Sequence, residues 1–373
     1  MNIRASHNRV GLGQAVGVSL SVADLSRFSA FEKQWDRLVE TTRGIDRWCT
    51  RLPWQRSVDT AFGHRFTDDD TAFGDTFGDT DLSEPVLETE SKDDVVDIEE
   101  GWAYAFRARS MNDGTEVLLP LDSVWAFASP IVLDQHGDRP NLSISAAEIA
   151  GSIFANRTWR VAFLTGMEAE SAMFTALARE FAGVARVVAG ESTVRCVASL
   201  HDGVEGYLSR RPRTFRRNLR SATRQADCAG VSFDVADTRL PGETVERLQD
   251  VERRSWKGLE GSGIVAPDMA RLYALLVDEL HAAQSLRATF AQRNGKDIGF
   301  ILGGVLGSTY RGLQLSFVED ERPLSVGNLL QLHEIKRLSD ADIETYDLGM
   351  DMEYKRLWSD SLMTTTPLIV IRP

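Results

Sequence analysis

The spacing of apolar residues changes several times along the chain, and each change predicts an element. Phe28, Phe31, Trp35 and Leu38 recur at helical intervals and predict an amphipathic helix over 28–41. Between 101 and 133 the pattern becomes alternation around Asn112-Asp113-Gly114, which predicts hairpin strands. WRVAFLTG (159–166) predicts a strand with a helix behind it over 168–183, and 185–200 reads as further strand without a clear linker. Residues 243–256 and 267–284 predict two helices, the second opening on Pro267 where a first turn tolerates proline. The stretch 286–317 predicts three antiparallel strands, with Asn294-Gly295 the strongest turn signal in the chain. Leu329, Leu332, Ile335 and Leu338 then mark one side of a helix. A strand (343–349), a short helix around 353–358 and a last strand over 364–372 complete the order. That order predicts an α/β protein with mixed, mostly antiparallel sheets, in which one helix crosses from a meander to a neighbouring strand.

Charge adds a local feature. The formal net charge is −13, and residues 68–100 alone hold 14 Asp or Glu against one Lys, so the remainder is balanced. The acidity predicts a solvated loop over 59–100 and gives no reason to assign repulsion or attraction to the whole surface. DTAFG occurs at 59 and again at 70, but two copies do not make a repeat architecture. Three separated cysteines, Cys49, Cys196 and Cys228, indicate neither a disulfide framework nor a zinc site. His333 reads as a surface or core histidine, and no metal is expected. Without a signal-peptide core or a spanning segment, the expected location is the cytoplasm.

Two stretches carry candidate chemistry. Pro323, Ser325, Gly327 and Asn328 precede the helix of Leu329, and turn formers there serve either to reverse the chain or to offer backbone N–H groups to a phosphate. Residues 210–224 hold seven arginines. Arg213, Arg217, Arg220 and Arg224 share one helical face, opposite Phe215, Leu219, Ala222 and Ala226. Arginine forks suit phosphates and carboxylates, so this face fits an anionic acceptor, a tRNA, or solvent alone. It lacks an aromatic platform for stacked bases, which argues against general nucleic-acid binding.

The stretches FRRNLRSATRQADCAG (215–230), ERRSWKG (252–258), SVGNLLQLHEIKRL (325–338) and YDLGMDMEYKRLW (346–358), ordered around the meander, resemble the GNAT acyltransferases. More narrowly they resemble the CelD/BcsL-like group, related in fold to the FemAB peptidyltransferases. The resemblance implies tandem GNAT-like domains, a degenerate one over 1–188 and a working one over 189–373. It implies acyl transfer from acetyl-CoA or another acyl-CoA to an amine, without a covalent enzyme intermediate. Ser316, Phe317 and Val318 would end a strand splayed from its neighbour, leaving backbone groups for the thioester and pantetheine. Ser325, Gly327, Asn328 and Leu329 would bind the donor at the next helix's N-terminus, the last three turning their N–H groups to the pyrophosphate. Tyr354 would protonate the departing thiolate, and Asp351 or Glu319 would accept the amine proton. Trp256 and Lys257, under a loop run GLEGSG, together with Arg217, Arg220, Asp347, Lys355 and Trp358, would surround the acceptor. That acceptor is expected to be a small molecule or a cell-envelope or polysaccharide precursor bearing an amine. Aminoacyl transfer from charged tRNA and a non-catalytic binding protein of the same fold are the other two readings.

Overall fold

The alternating stretch around residue 112 and the meander after residue 286 lie in two separate sheets. The computed structural model describes residues 18–20, 29–62, 87–99, 101–111, 116–122, 125–135, 142–155 and 159–373. The first half runs β1 (Val18–Leu20), α1 (Ser29–Thr41), α2 (Arg47–Thr50), α3 (Leu52–Phe62), β2 (Leu87–Glu99), β3 (Trp102–Met111), β4 (Glu116–Pro120), β5 (Ile131–Leu133), α4 (Leu142–Ala155), β6 (Trp159–Leu164), α5 (Ala172–Ala182) and β7 (Arg186–Ala189). The second half begins with β8 (Thr193–Ser199), α6 (Gly203–Ser209), α7 (Arg213–Cys228), β9 (Ser232–Val235), α8 (Pro241–Arg253), α9 (Trp256–Leu259) and α10 (Pro267–Ala282). It continues with β10 (Leu286–Arg293), β11 (Lys296–Leu306), β12 (Thr309–Phe317), α11 (Val326–Asp340), β13 (Thr345–Met350), α12 (Glu353–Arg356), β14 (Ser361–Thr365) and β15 (Leu368–Ile371).

The first sheet has the order β1-β2-β3-β4-β6-β15-β7, with β5 paired to β3, and the second the order β14-β8-β13-β12-β11-β10-β9. Each is antiparallel except for one parallel pair, β4 with β6 and β12 with β13. In both, a helix lies between the parallel strands in sequence, α4 in one and α11 in the other. The same arrangement built twice is a tandem α/β architecture. Asn294 and Gly295 join β10 to β11 with φ of 51° and 73°, the left-handed pair that a two-residue hairpin turn needs. The Asn112-Asp113-Gly114 turn and residues 63–86 of the acidic stretch lie outside the described residues. The flanking parts of that stretch are ordered elements and not loop, since 59–62 end α3 and Leu87–Glu99 form β2.

Two expected elements divide. The helix expected over 243–256 ends at Arg253, and Ser255 starts the separate turn α9 by accepting a hydrogen bond from Gly258 N–H at 3.2 Å. The strand expected over 364–372 breaks at Thr366-Pro367, because its halves serve different sheets. β14 edges the second sheet, whereas β15 lies between β6 and β7 of the first. The chain therefore crosses between the sheets twice, at 190–192 and at 366–367. The crossings are bonded to each other by Gly190 N–H to Pro367 O (2.8 Å) and Ser192 Oγ to Thr366 Oγ1 (2.8 Å). In return α3 leaves its own half: Trp54, Val58, Ala61 and Phe62 pack with Leu248, Leu276, Phe290 and Phe300 of the second unit.

β15 buries Leu368 and Val370 in one core cluster and Ile369 in another, as strand alternation requires. Deleting residues 366–373 should therefore abolish a single cooperative thermal transition, as followed by circular dichroism. A truncated chain that melts cooperatively at an unchanged temperature would show that the first sheet closes without this strand.

Candidate active site

β12 and β13 pair over only three residues: Thr309 with Thr345, Tyr310 with Tyr346, and Arg311 with Asp347. Both strands continue past this vertex, β12 to Phe317 and β13 to Met350, without pairing to each other. The sequence supplies the cause. The β12–β11 register shifts at Gly312 to Gln314, and the β13–β8 register shifts at Asp347 to Gly349, so each strand bulges just beyond their last shared pair. Gly349 has φ 81°, a conformation that a side chain would strain, and its N–H donates to Asp347 Oδ1 at 2.8 Å. At Gly312 a Cβ would lie 3.0 Å from the Tyr346 ring.

The divergence opens a cavity of 830 Å³ between β12, the start of α11, α9 and α12. Val318 N–H bonds to Ile298 O in β11 (2.9 Å), so by alternation Leu315 and Phe317 turn their backbone groups toward the gap. Part of this edge is occupied: Lys257 Nζ donates to Leu315 O at 3.1 Å. Ser316 is buried on the cavity wall with its Oγ unpartnered. Ser325 enters α11 in the left-handed conformation (φ 55°), and its carbonyl accepts from the N–H groups of Asn328 (2.9 Å) and Leu329 (3.2 Å). This corrects the expectation for those two donors; Val326 and Gly327 are the first-turn donors left for an anion. At Gly327 a Cβ would stand 3.3 Å from Leu315 and Phe317, so glycine also lets α11 lie close on β12.

Ten of the residues singled out from the sequence line this cavity: Trp256, Lys257, Ser316, Phe317, Ser325, Gly327, Asn328, Tyr354, Lys355 and Trp358. Trp358 does so mainly as core, since it is buried and meets Phe215 edge-on at 4.9 Å. The others lie elsewhere. Val318 is buried in the second unit's core, and Leu329 packs on Ala222 and Ala226 of α7. Arg217 and Arg220 are exposed, because α7 docks through Leu219, Ala222 and Ala226 on its other face. Glu319 is tied to Arg322 at 2.8 Å. Asp351 is gripped by Arg356 and accepts from Cys196 Sγ at 3.3 Å; the Arg356 bond holds its pKa down to about 2, which makes it a poor proton acceptor. Asp347 is buried and bonds the guanidinium of Arg311, with Arg195 3.5 Å away. Burial alone would raise its pKa, but the two arginines outweigh that and keep it below the usual range. Within the GLEGSG run the first glycine is packed, since a Cβ on Gly258 would sit 1.9 Å from Glu252 O, while 259–262 are exposed.

Among the described residues, the cavity wall carries the cations Lys257, Arg322 and Lys355 and no Asp or Glu. Burial, and then the charge of Arg311, push the Lys355 amine down to about 8, while its Nζ donates to Met350 O at 3.1 Å. Tyr354 is half-exposed, and partial burial followed by the nearby Cys196 raises its hydroxyl above the usual range. The sequence reading missed Gln314, Gln331 and Tyr346, which add amides and a phenol to the wall, with Tyr346 Oη donating to Gln331 Oε1 at 3.1 Å. The glycines just after Arg311 and Leu348 were the available signal. A second cavity of 490 Å³, at the far end of α11, places Arg337 beside Asp237, and Arg337 is also 2.8 Å from Glu334.

Residues 213–356 match the acetyltransferase (GNAT) domain family. Over this segment, 144 of the 373 residues, the chain is similar to a GNAT domain. The crystal structure of FemX is 10% identical, with 90% of this chain and 95% of that chain covered at a TM-score of 0.58. A conserved protein of unknown function from Bacteroides thetaiotaomicron is also 10% identical, covering 95% of this chain and 99% of its own at a TM-score of 0.53. No curated protein matches the chain. The GNAT-like unit thus carries the splayed pair β12/β13, and the preceding half repeats its sheet pattern. Among the described residues no group of His, Cys, Asp and Glu is placed to hold a metal ion, and no helix is long and apolar enough to cross a membrane.

Lys355 should titrate near pH 8 when its dimethylated amine is followed by carbon NMR. A midpoint at the ordinary value of 10.5 would show that neither burial nor Arg311 acts on it. Because the folded value is the lower one, the unfolded chain binds more protons between pH 8 and 10.5, and this group's contribution to stability should rise with pH across that window.

Proposed function

We propose that the chain is an N-acyltransferase of the CelD/BcsL-like kind, moving an acyl group from an acyl-CoA thioester to an amine by direct attack. The observation that carries this reading is the splayed edge of β12, opening beside the first turn of α11 into a cavity whose described wall has three cations and no carboxylate. Such a wall suits a donor rich in phosphate. Val326 and Gly327 N–H groups, with Arg322, would hold the pyrophosphate. The backbone groups of Leu315 and Phe317 would bond the pantetheine amides and polarise the thioester carbonyl. Tyr354, on the β13 side of the gap, would give its proton to the leaving thiolate. The acceptor is assigned only as an amine, on a small molecule or a cell-envelope or polysaccharide precursor. Aminoacyl transfer from a charged tRNA is the second reading. The exposed arginine face of α7 and the likeness of fold to FemX favour it.

Calorimetric titration with acetyl-CoA tests the donor. Saturable binding that Gly327→Trp abolishes is the expected result; a folded protein that binds neither acetyl-CoA nor longer acyl-CoAs would turn the assignment to aminoacyl-tRNA. Tyr354→Phe should keep the donor affinity and lower turnover by about a hundredfold. Unchanged turnover would remove Tyr354 from the mechanism.

A further inference from the structure

The chain holds six lysines among its 42 Lys and Arg residues, and two of the six, Lys257 and Lys355, line the cavity. Lys257 is not a freely solvated surface amine. Its side chain is 19% exposed, its Nζ bonds Leu315 O at 3.1 Å, and Glu252 Oε1 lies 3.7 Å away. Glu252 is fixed in turn by Gln314 Nε2 (3.0 Å), Ile264 N–H (3.2 Å) and Ser255 Oγ (3.0 Å). A primary amine therefore already rests on the strand edge along which an acyl thioester would lie.

We propose that Lys257 is itself an acyl acceptor, so that the cavity modifies its own wall. The inference rests on the acyl-transfer reading above. In the step proposed, the neutral Nζ attacks the thioester carbonyl carbon, a C–N bond forms and the C–S bond breaks. The thiolate leaves and takes up the proton that the nitrogen loses, so no further reactant is needed. Burial lowers the Lys257 pKa toward the reactive neutral form, against the opposing pull of Glu252. The product amide keeps one N–H for Leu315 O, loses the cation, and fills the cavity with the acyl group. Lys355 differs, because its amine is held on the other strand by Met350 O.

The unmodified full chain is incubated with S-acetyl-N-acetylcysteamine, a thioester without phosphates, and separately with acetyl-CoA, and the acetylated peptides are followed over time by mass spectrometry. Exposed Lys33, Lys296 and Lys336 serve as internal controls. The expected result is acetylation of Lys257 about tenfold or more faster than the controls. A rate at or below theirs, or label on Lys355 in its place, overturns the inference. Lys257→Arg should remove the fast phase, and its persistence would also overturn it. Because the small thioester carries no phosphate, Lys257 is tested even where calorimetry finds no binding of acyl-CoA, so the two readings fail separately.

Discussion

Four buried charges hold the vertex of the splayed strands, and the remaining geometry of the site follows from them. Asp46, Arg195, Arg311 and Asp347 are each less than a tenth exposed. Asp46 bonds Arg195 and lies 3.7 Å from Arg311, while Asp347 bonds Arg311 and lies 3.5 Å from Arg195. Two cations and two anions cancel, which is the condition for keeping any of them out of water. Near 4 Å each attraction is worth about 4 kcal/mol at an effective dielectric of about 20, against a desolvation cost of several kcal/mol per ion. The net gain from the set is therefore small, while the loss of one member leaves a buried charge without its partner. The set specifies position more than it adds stability. Arg311 and Asp347 are the last parallel pair, so the quartet fixes where pairing stops and the cavity begins.

Asp46 belongs to the first half, where it also caps α2 by accepting from Cys49 N–H at 3.1 Å. The first half thus supplies a charge at the vertex of a cavity whose walls come from the second. The exchange of β15 for α3 between the two units works in the same direction. Each unit completes the other's sheet or core, and the paired crossings at Gly190 and Pro367 tie both connections at one point. Separation of the halves would expose the apolar faces of both β15 and α3. The first half therefore has a physical task at this cavity, which is to help hold the vertex in register.

Local signals in the sequence led to most of the second unit. The period of Leu329, Leu332, Ile335 and Leu338 gave α11, Asn294-Gly295 gave the β10–β11 turn, and the order of elements gave the crossing helix. The pairing partner of β15 was not legible, because LIVI would fit any buried strand and its alternation does not name a sheet. Asp347 was noticed, but its partners Arg311 and Arg195, and the Asp46 that balances them, are brought together by tertiary packing over long chain separations. The N–H groups of Asn328 and Leu329 were misread because a helix N-terminus leaves donors open only until a preceding carbonyl turns inward. Ser325, in the left-handed conformation, turns its carbonyl in that way. Gly312 and Gly349 were visible as residues, but their role depends on a strand divergence that only the paired structure displays.

Among the described residues no Asp or Glu lines the cavity, so the proposed transfer would pass its amine proton by another route. Asp351 and Glu319, the residues expected to accept it, are each bonded to an arginine and do not line the cavity. Lys355 shows what this environment does to an amine: burial and the adjacent cations take it from 10.5 to about 8. Such a shift raises the neutral fraction near pH 7 on the order of a few hundredfold, at about 1.4 kcal/mol per unit. In the proposed transfer, an acceptor amine entering the same field would meet similar desolvation and positive charge, and would be neutral in about one molecule in ten near pH 7. The cations that suit the wall to a phosphate-bearing donor would therefore also raise the share of neutral nucleophile available for direct attack.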